Sequence, residues 1–173
     1  MKKHVFLTGD IQVGKSTAIA KALTKLNVEV GGFRTAGANY QEDGSSNVVI
    51  FKATEKPEDG QIVAHRKQGN REAFPDVFDT YGPQFLKDTK ILTIMDEIGF
   101  LESESVKFCS AIRETLNSDT HVLGVVRNKN TPFIDEIRNR GDVILITVTE
   151  DNRDEIPEKI VEIMRDMGLS RQE

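Results

Sequence analysis

Residues 9–16 read Gly-Asp-Ile-Gln-Val-Gly-Lys-Ser and follow a short apolar run, Val5-Phe6-Leu7. After them, Ile19, Ala22, Leu23 and Leu26 repeat at helical spacing. The eight residues match the pattern G-x-x-x-x-G-K-[ST] at every fixed position. Glycines let such a loop curl so that its N–H groups converge on an anion, and the following helix adds the positive end of its dipole. The segment therefore predicts a strand, a phosphate-binding loop and a helix, in that order.

The motif predicts roles for two polar residues of the loop. Lys15 supplies a mobile positive charge for the β and γ phosphates of a nucleotide, and Ser16 places a hydroxyl on Mg²⁺. Asp10 is less expected, because a carboxylate in this loop repels phosphate unless it points outward or a cation lies between them. We therefore expect modest nucleotide affinity. The candidate nucleotide-binding residues of this segment are Gly9, Asp10, Ile11, Gln12, Val13, Gly14, Lys15, Ser16 and Thr17.

Apolar, β-branched runs alternate with amphipathic segments along the rest of the chain, which predicts a mostly parallel sheet covered by helices on both faces. Asp43-Gly44 marks a turn between two of the runs, so we also expect a small antiparallel insert. The predicted strands after Val5-Phe6-Leu7 are Asn27–Thr35, Val48–Ala53, Gln61–His65, Ile91–Met95, His121–Val126 and Val143–Val148. The predicted helices after the loop helix are Asp76–Leu86, one carrying Val106, Cys109, Ile112 and Leu116, and Ile156–Met167, which ends at Gly168. The predicted class is three-layer α/β with a five-stranded core sheet.

The chain has 173 residues and 38% hydrophobic content, which suits one domain spanning residues 1–173. Its single cysteine, Cys109, cannot form an intramolecular disulfide, and no signal-like segment precedes the first strand, so we expect a cytoplasmic setting. The apolar runs are too short to span a membrane. The net charge of −5 argues against long nucleic acid as a partner.

A second group of candidate residues lies where the strand Ile91–Met95 ends, in Asp96-Glu97-Ile98-Gly99. In enzymes with this type of loop, a carboxylate at such a strand end holds Mg²⁺, and a further group orients the attacking water. Asp96 fits the first role and Glu97 the second. A solvated strand end would also explain two acids here, and only the loop makes the functional interpretation the better one.

Two later strand ends offer weaker candidates. Arg127 follows the strand His121–Val126 and could stabilise transferring phosphate charge, although a solvated basic loop explains it equally well. Asn152 and Arg153 follow the last strand and could flank a base, while Asn152 or Asp154 could instead cap the last helix.

The chain resembles the nucleoside triphosphatases that include the human cancer-related nucleoside triphosphatase and its archaeal and bacterial relatives. The resemblance rests on His4–Gly9, Val13–Thr17, Gly32-Phe33 with Thr35, Asp96–Gly99 with Glu102, Glu136–Arg140 with Asp142-Val143, and Val148-Thr149 with Asn152-Arg153-Asp154. It implies a RecA-like phosphate-loop fold and Mg²⁺-dependent removal of the γ-phosphate from ATP, GTP and other nucleotides. The chain differs from the family pattern at Asp10-Ile11-Gln12, at Ala36 and Gly37, and at Phe100-Leu101.

Three hypotheses follow. The first is a nucleoside triphosphatase, expected to be a monomer, in which the loop and Lys15 bind phosphates, Ser16 and Asp96 hold Mg²⁺, and Glu97 activates water. The second is a small nucleotide or metabolite kinase, which would need an acceptor pocket and a lid that excludes water. The third is a regulatory module that binds nucleotide without turnover.

Overall fold

In the computed structural model, residues 1–88, 90–99 and 104–169 are described. Five helices and eight strands, together with one 3₁₀ turn at Pro57–Asp59, account for the regular structure of those residues. The strands are β1 (His4–Thr8), β2 (Val30–Ala38), β3 (Ser46–Lys52), β4 (Gln61–Lys67), β5 (Asn70–Ala73), β6 (Leu92–Ile98), β7 (His121–Val126) and β8 (Val143–Thr147). The helices are α1 (Lys15–Leu26), α2 (Pro75–Lys87), α3 (Val106–Asn117), α4 (Pro132–Arg138) and α5 (Ile156–Asp166).

All eight strands form one sheet in the order β5-β4-β3-β2-β6-β7-β1-β8. The strands β2, β6, β7, β1 and β8 are mutually parallel, and β3, β4 and β5 continue the sheet as an antiparallel meander beyond β2. The carboxyl ends of the five parallel strands therefore lie along one edge of the sheet, where open α/β folds bind ligands.

Helices cover both faces of the sheet, because the side chains of each buried strand alternate between two hydrophobic cores. Phe6 and Met95 face one core with α2, α3 and α4, whereas Val5 and Ile94 face the other with α1 and α5. In the first core, the ring of Phe108 on α3 stacks on Phe78 of α2 and packs edge-on against Phe33 of β2. The three-layer α/β arrangement predicted from the alternating pattern is confirmed.

The prediction of a five-stranded sheet is wrong in its count. The five parallel strands are present, but the antiparallel strands hydrogen-bond to β2 and extend the same sheet to eight strands rather than forming a separate insert. Neither β5 nor α4 is among the elements predicted from the sequence. β5 reads Asn-Arg-Glu-Ala and has no apolar alternation, whereas α4 begins with the recognisable signals of Thr131 as N-cap and Pro132 at the first position.

The last helix begins at Ile156, and its N-cap residue is Glu155, whose side chain makes no capping bond. The alternative that the sequence left open, in which Asn152 or Asp154 caps this helix, is therefore wrong. Among the described residues, no helix combines the length and apolar character that crossing a membrane requires.

Candidate functional site

The phosphate-loop motif forms a tight connection from β1 to α1. Gly9 and Gly14 adopt φ angles of 138° and 107°, a region that residues with a side chain rarely enter. A Cβ on Gly9 would in addition overlap the carbonyl oxygen of Val148, which follows β8. Glycine is thus required at both ends of the curled segment, as the motif predicted, and Gly14 is the N-cap residue of α1.

Lys15 is buried, and its ammonium group lies against the loop itself. Its Nζ donates hydrogen bonds to the carbonyl oxygens of Gly9, at 2.6 Å, and Asp10, at 3.0 Å. Burial lowers the pKa of Lys15 from its usual value, while the nearby carboxylate of Glu97 opposes that shift. The side chain of Asp10 is exposed, so its carboxylate is solvated.

Ser16 and Asp96 meet between α1 and β6. The hydroxyl of Ser16 donates to Asp96 Oδ1 at 3.1 Å, although the two residues are 80 positions apart in sequence. The other carboxylate oxygen lies 3.8 Å from Nε of Arg34, whose guanidinium stacks over the ring of Phe51. Burial raises the pKa of Asp96, and the hydrogen bond from Ser16 and the charge of Arg34 oppose this shift.

Glu97 lies beside Asp96, on the cleft side of the sheet edge. Its backbone N–H donates to the hydroxyl of Thr35 on β2 at 3.3 Å. Its carboxylate Oε1 lies 3.9 Å from Nε of Arg127, the first residue after β7. The backbone of Arg127 is fixed on both sides, because its N–H donates to the carbonyl of Ile98 and its own carbonyl accepts from Arg138. Arg127, which the sequence left open between two roles, thus faces the candidate catalytic carboxylate.

The loop, Ser16, Glu97 and Arg127 line one cleft of about 970 Å³ along the carboxyl ends of the strands. Its walls include the loop, the amino end of α1, Glu97, Arg127 and Lys129. The volume is at the upper end of the range for small-molecule sites, about 300–1,000 Å³. The structure therefore brings together the loop with Lys15 and Ser16, Glu97 and Arg127, which sequence analysis had placed on three separate segments.

Two cleft residues that sequence analysis missed are Arg66 on β4 and Arg71 on β5. They sit opposite one another in the antiparallel register and belong to the part of the sheet beyond β2. A basic residue in a short exposed strand carries no signal of its own in the sequence. The only available indication was the prediction of a strand at Gln61–His65, which stops one residue before Arg66.

Other predicted site residues lie elsewhere. The side chain of Val13 is packed in the core with α1 and α5, so only its backbone can face a ligand. The amide of Asn152 closes a turn: its Oδ1 accepts from the N–H of Thr149 at 2.7 Å, and its Nδ2 donates to the carbonyl of Thr147. Neither Asn152 nor Arg153 lines the cleft. The Arg153 side chain instead runs alongside Gly14, where an added Cβ would lie 3.6 Å from its Cδ. Phe100, Leu101 and Glu102, which entered the sequence comparison, lie outside the described residues.

Within the described ranges, no three His, Cys, Asp or Glu side chains come close enough together to hold a metal ion. The oxygen atoms of Ser16 and Asp96, 3.1 Å apart, are of the kind that Mg²⁺ prefers.

Comparison with known proteins agrees with this geometry. A family model described as NTPase matches residues 4–161. The nucleoside-triphosphatase THEP1 of Methanosarcina acetivorans is 32% identical, over 95% of this chain and 99% of its own. The human cancer-related nucleoside-triphosphatase is also 32% identical, over 93% of this chain and 96% of its own.

Two solved structures share the fold. The crystal structure of THEP1 from Aquifex aeolicus superposes with a TM-score of 0.75 at 24% identity, over 92% of this chain and 98% of that one. The solution structure of a human cancer-related nucleoside triphosphatase gives a TM-score of 0.69 at 29% identity, over 95% and 98%. The family match covers most of the chain, and its phosphate loop and Glu97 line one cleft, so the chain belongs to this NTPase family.

Proposed function

We propose that this protein hydrolyses nucleoside 5′-triphosphates to the diphosphate and phosphate in a Mg²⁺-dependent reaction. The observation that carries the proposal is the contact between Ser16 at the start of α1 and Asp96 at the end of β6, beside the buried ammonium of Lys15. This is the arrangement that a phosphate loop and a metal-binding strand end need in order to act on one triphosphate. The names of the relatives, all nucleoside-triphosphatases, support the same reaction.

Ser16 and Asp96 would hold the Mg²⁺ ion. The fit is good on two grounds: both supply oxygen atoms, and the Asp96 carboxylate is buried, so its negative charge favours a cation as partner. When bound, Mg²⁺ would neutralise charge on the β and γ phosphates.

The remaining steps belong to residues of the chain. The loop N–H groups and the α1 amino end bind the phosphates, and Lys15 shifts its hydrogen bonds from the carbonyls of Gly9 and Asp10 to phosphate oxygens. Glu97, about one-third exposed, orients a water and accepts its proton as the water attacks the γ-phosphorus. Arg127, whose Nε lies 3.9 Å from the Glu97 carboxylate, stabilises the charge on the transferring group.

The proposal also includes the finer features expected from the sequence: a RecA-like phosphate-loop arrangement, a monomer, a cytoplasmic setting and no long nucleic-acid partner. The RecA-like arrangement is supported by the position of β7 between β1 and β6, since this one strand separates the loop from Asp96. The net charge of −5 supports the absence of a long nucleic-acid partner.

Phosphate release measured with and without Mg²⁺ tests the proposal. We expect Lys15→Ala to lose both nucleotide affinity and turnover, because the phosphates lose their mobile cation. We expect Glu97→Gln to lose at least about 100-fold in kcat and to keep its nucleotide affinity, because only the proton acceptor is removed. Lys25→Ala, on the last turn of the same helix, is the matched control and should behave as the native protein. Unchanged rates in both site variants would refute the assignment.

A further inference from the structure

The connection between β7 and α4, residues 127–131, carries Arg127 into the cleft. Arg127, Asn128 and Lys129 all line the cleft wall. Asn128, Lys129 and Asn130 are exposed, so their side chains contribute little packing that would fix this part of the chain. The direction in which the Arg127 side chain leaves the backbone therefore depends on the hydrogen bonds that hold the connection.

Arg138, the last residue of α4, reaches back to this connection. Its Nη2 donates to the carbonyl oxygen of Arg127 at 2.6 Å, and its Nη1 donates to Asn130 Oδ1 at 3.1 Å. Nη1 also lies 3.6 Å from Asp135 Oδ1, one turn earlier on the helix. Side chains of a helix lean toward its amino end, so the last residue of this seven-residue helix can contact the chain that precedes it. One guanidinium group thus joins two points of the connection to α4.

The bond from Arg138 holds the peptide group on the carboxyl side of Arg127. The peptide group on the amino side is held by β6, because the N–H of Arg127 donates to the carbonyl oxygen of Ile98 at 2.9 Å. Ile98 directly follows Glu97, whose Oε1 lies 3.9 Å from Nε of Arg127. The Arg138 side chain is only 16% exposed, which strengthens its charge-assisted hydrogen bonds relative to those of a surface arginine. With both peptide groups held, the Arg127 side chain is directed toward Glu97.

We propose that Arg138 is a positioning residue, which holds the β7–α4 connection so that Arg127 lies between Glu97 and the transferring phosphate. Arg138 itself does not line the cleft, so it acts through Arg127 and not on the nucleotide. A displacement of about 1 Å in a group that contacts the reacting atoms can cost about 100-fold in rate. Loss of Arg138 therefore lowers kcat although every group that touches the nucleotide is kept. This inference rests on the proposed function, in which Arg127 stabilises the charge on the transferring group.

A double-mutant cycle tests whether Arg138 acts through Arg127. Phosphate release is measured at saturating nucleotide and Mg²⁺ for the native protein, Arg138→Gln, Arg127→Gln and the double variant. We expect Arg127→Gln to lose about 100-fold in kcat and Arg138→Gln about 10-fold or more. In the Arg127→Gln background, Arg138→Gln should change kcat by less than about twofold, because the side chain that it positions is already absent. The affinity of Arg138→Gln for a non-hydrolysable analogue should stay within about threefold of the native value, since the phosphate loop is unchanged.

Arg113→Gln is the matched control, because Arg113 on α3 also donates two side-chain hydrogen bonds that hold α4. Both go to the carboxylate of Glu136, at 2.8 and 3.0 Å, and the guanidinium lies over the ring of Phe133. Its kcat should stay within about twofold of the native value. Amide hydrogen exchange adds a readout that needs no hydrolysis: the N–H groups of Arg127 and Lys129 should exchange faster in Arg138→Gln than in the native protein or the control. Urea midpoints check that every variant is folded.

The proposal is overturned if the two substitutions have additive effects on kcat, because Arg138 would then not act through Arg127. An Arg138→Gln variant with the native kcat and native amide exchange would also overturn it, as would an Arg113→Gln variant that loses as much kcat as Arg138→Gln. Failure of the proposed function looks different: the native protein would release no phosphate from any nucleotide, while the amides of Arg127 and Lys129 would still exchange faster in Arg138→Gln, as positioning by Arg138 requires.

Discussion

His4, at the start of β1, makes the stability of the fold depend on pH. Its ring is completely buried. Its Nε2 lies 2.9 Å from the carbonyl oxygen of Leu116, and its Nδ1 accepts from the N–H of Val122 at 3.0 Å. This pattern assigns the neutral ring with its proton on Nε2. Burial lowers the pKa of His4 from 6.5 to about 4, and the carboxylate of Asp142, 3.6 Å away, offsets only part of this shift.

The direction of the pH dependence follows from which state, folded or unfolded, binds a proton at the higher pH. As the pH falls below 6.5, His4 becomes protonated in the unfolded chain but not in the folded one, so the free energy of unfolding falls. The limiting slope is about 1.36 kcal/mol per pH unit. Between pH 6.5 and pH 5 the loss is therefore about 2 kcal/mol, and by pH 4 about 3 kcal/mol. A loss of that size is a substantial part of the stability of a small domain, about 5–15 kcal/mol.

Urea unfolding at several pH values between about 7.5 and 5 measures how steeply the free energy of unfolding changes with pH. The window avoids carboxylates such as Asp142, whose pKa is held below its usual value by hydrogen bonds from Arg140, so that its contribution is lost only at lower pH. We expect His4→Gln to be less stable at neutral pH and to lose most of the slope. His65→Gln, at an exposed position, should keep it. A native protein whose stability is flat over this window, or a His4→Gln variant with the native slope, would refute the reasoning.

Two further predictions concern packing and the metal-binding carboxylate. Gly82→Ala should destabilise the protein by about 1–3 kcal/mol in urea unfolding, because its Cβ would lie within 2.7 Å of three ring atoms of Phe108, although alanine is normally the better helix former. Gly141→Ala, with open space around it, is the control, and equal midpoints would contradict the packing argument. Asp96→Asn should reduce hydrolysis more than about 100-fold and raise the urea midpoint of the nucleotide-free protein, because it removes a buried charge whose pKa is raised. A lower midpoint would show that the ion pair with Arg34 outweighs the burial of the carboxylate.

The parts of the structure that were predictable are those with a strong local signal. The parallel strands β1, β6, β7 and β8 are apolar runs, because a strand covered on both faces needs mostly apolar side chains. The phosphate loop has fixed glycines because its backbone requires them at Gly9 and Gly14. Asp96 and Glu97 could be assigned because the order of strands and helices along the chain places their strand end on the same edge as the loop.

The rest depends on contacts between distant segments. No local pattern shows that β3 pairs with β2 and so continues the main sheet. An antiparallel strand pair has the same alternation of apolar and polar side chains whether it forms a separate insert or extends the edge of a sheet. The same reason hides Arg66 and Arg71, whose place in the cleft depends on three consecutive strand pairings. The sequence suggests that Asn152 could flank the nucleotide base, because Asn152 follows a strand at the edge of the sheet where ligands bind. In the structure its amide instead closes its own turn.

The hydrogen bonds from Lys15 to the carbonyls of Gly9 and Asp10 have a thermodynamic consequence. The ammonium has already left bulk water before any nucleotide arrives, so binding exchanges one set of polar partners for another rather than creating new ones. The loop carbonyls must find water when the lysine leaves them, and this cost offsets part of what the lysine gains from the phosphate. What Lys15 adds to nucleotide affinity is thus the difference between its attraction to charged phosphate oxygens and its attraction to the neutral carbonyls that it leaves.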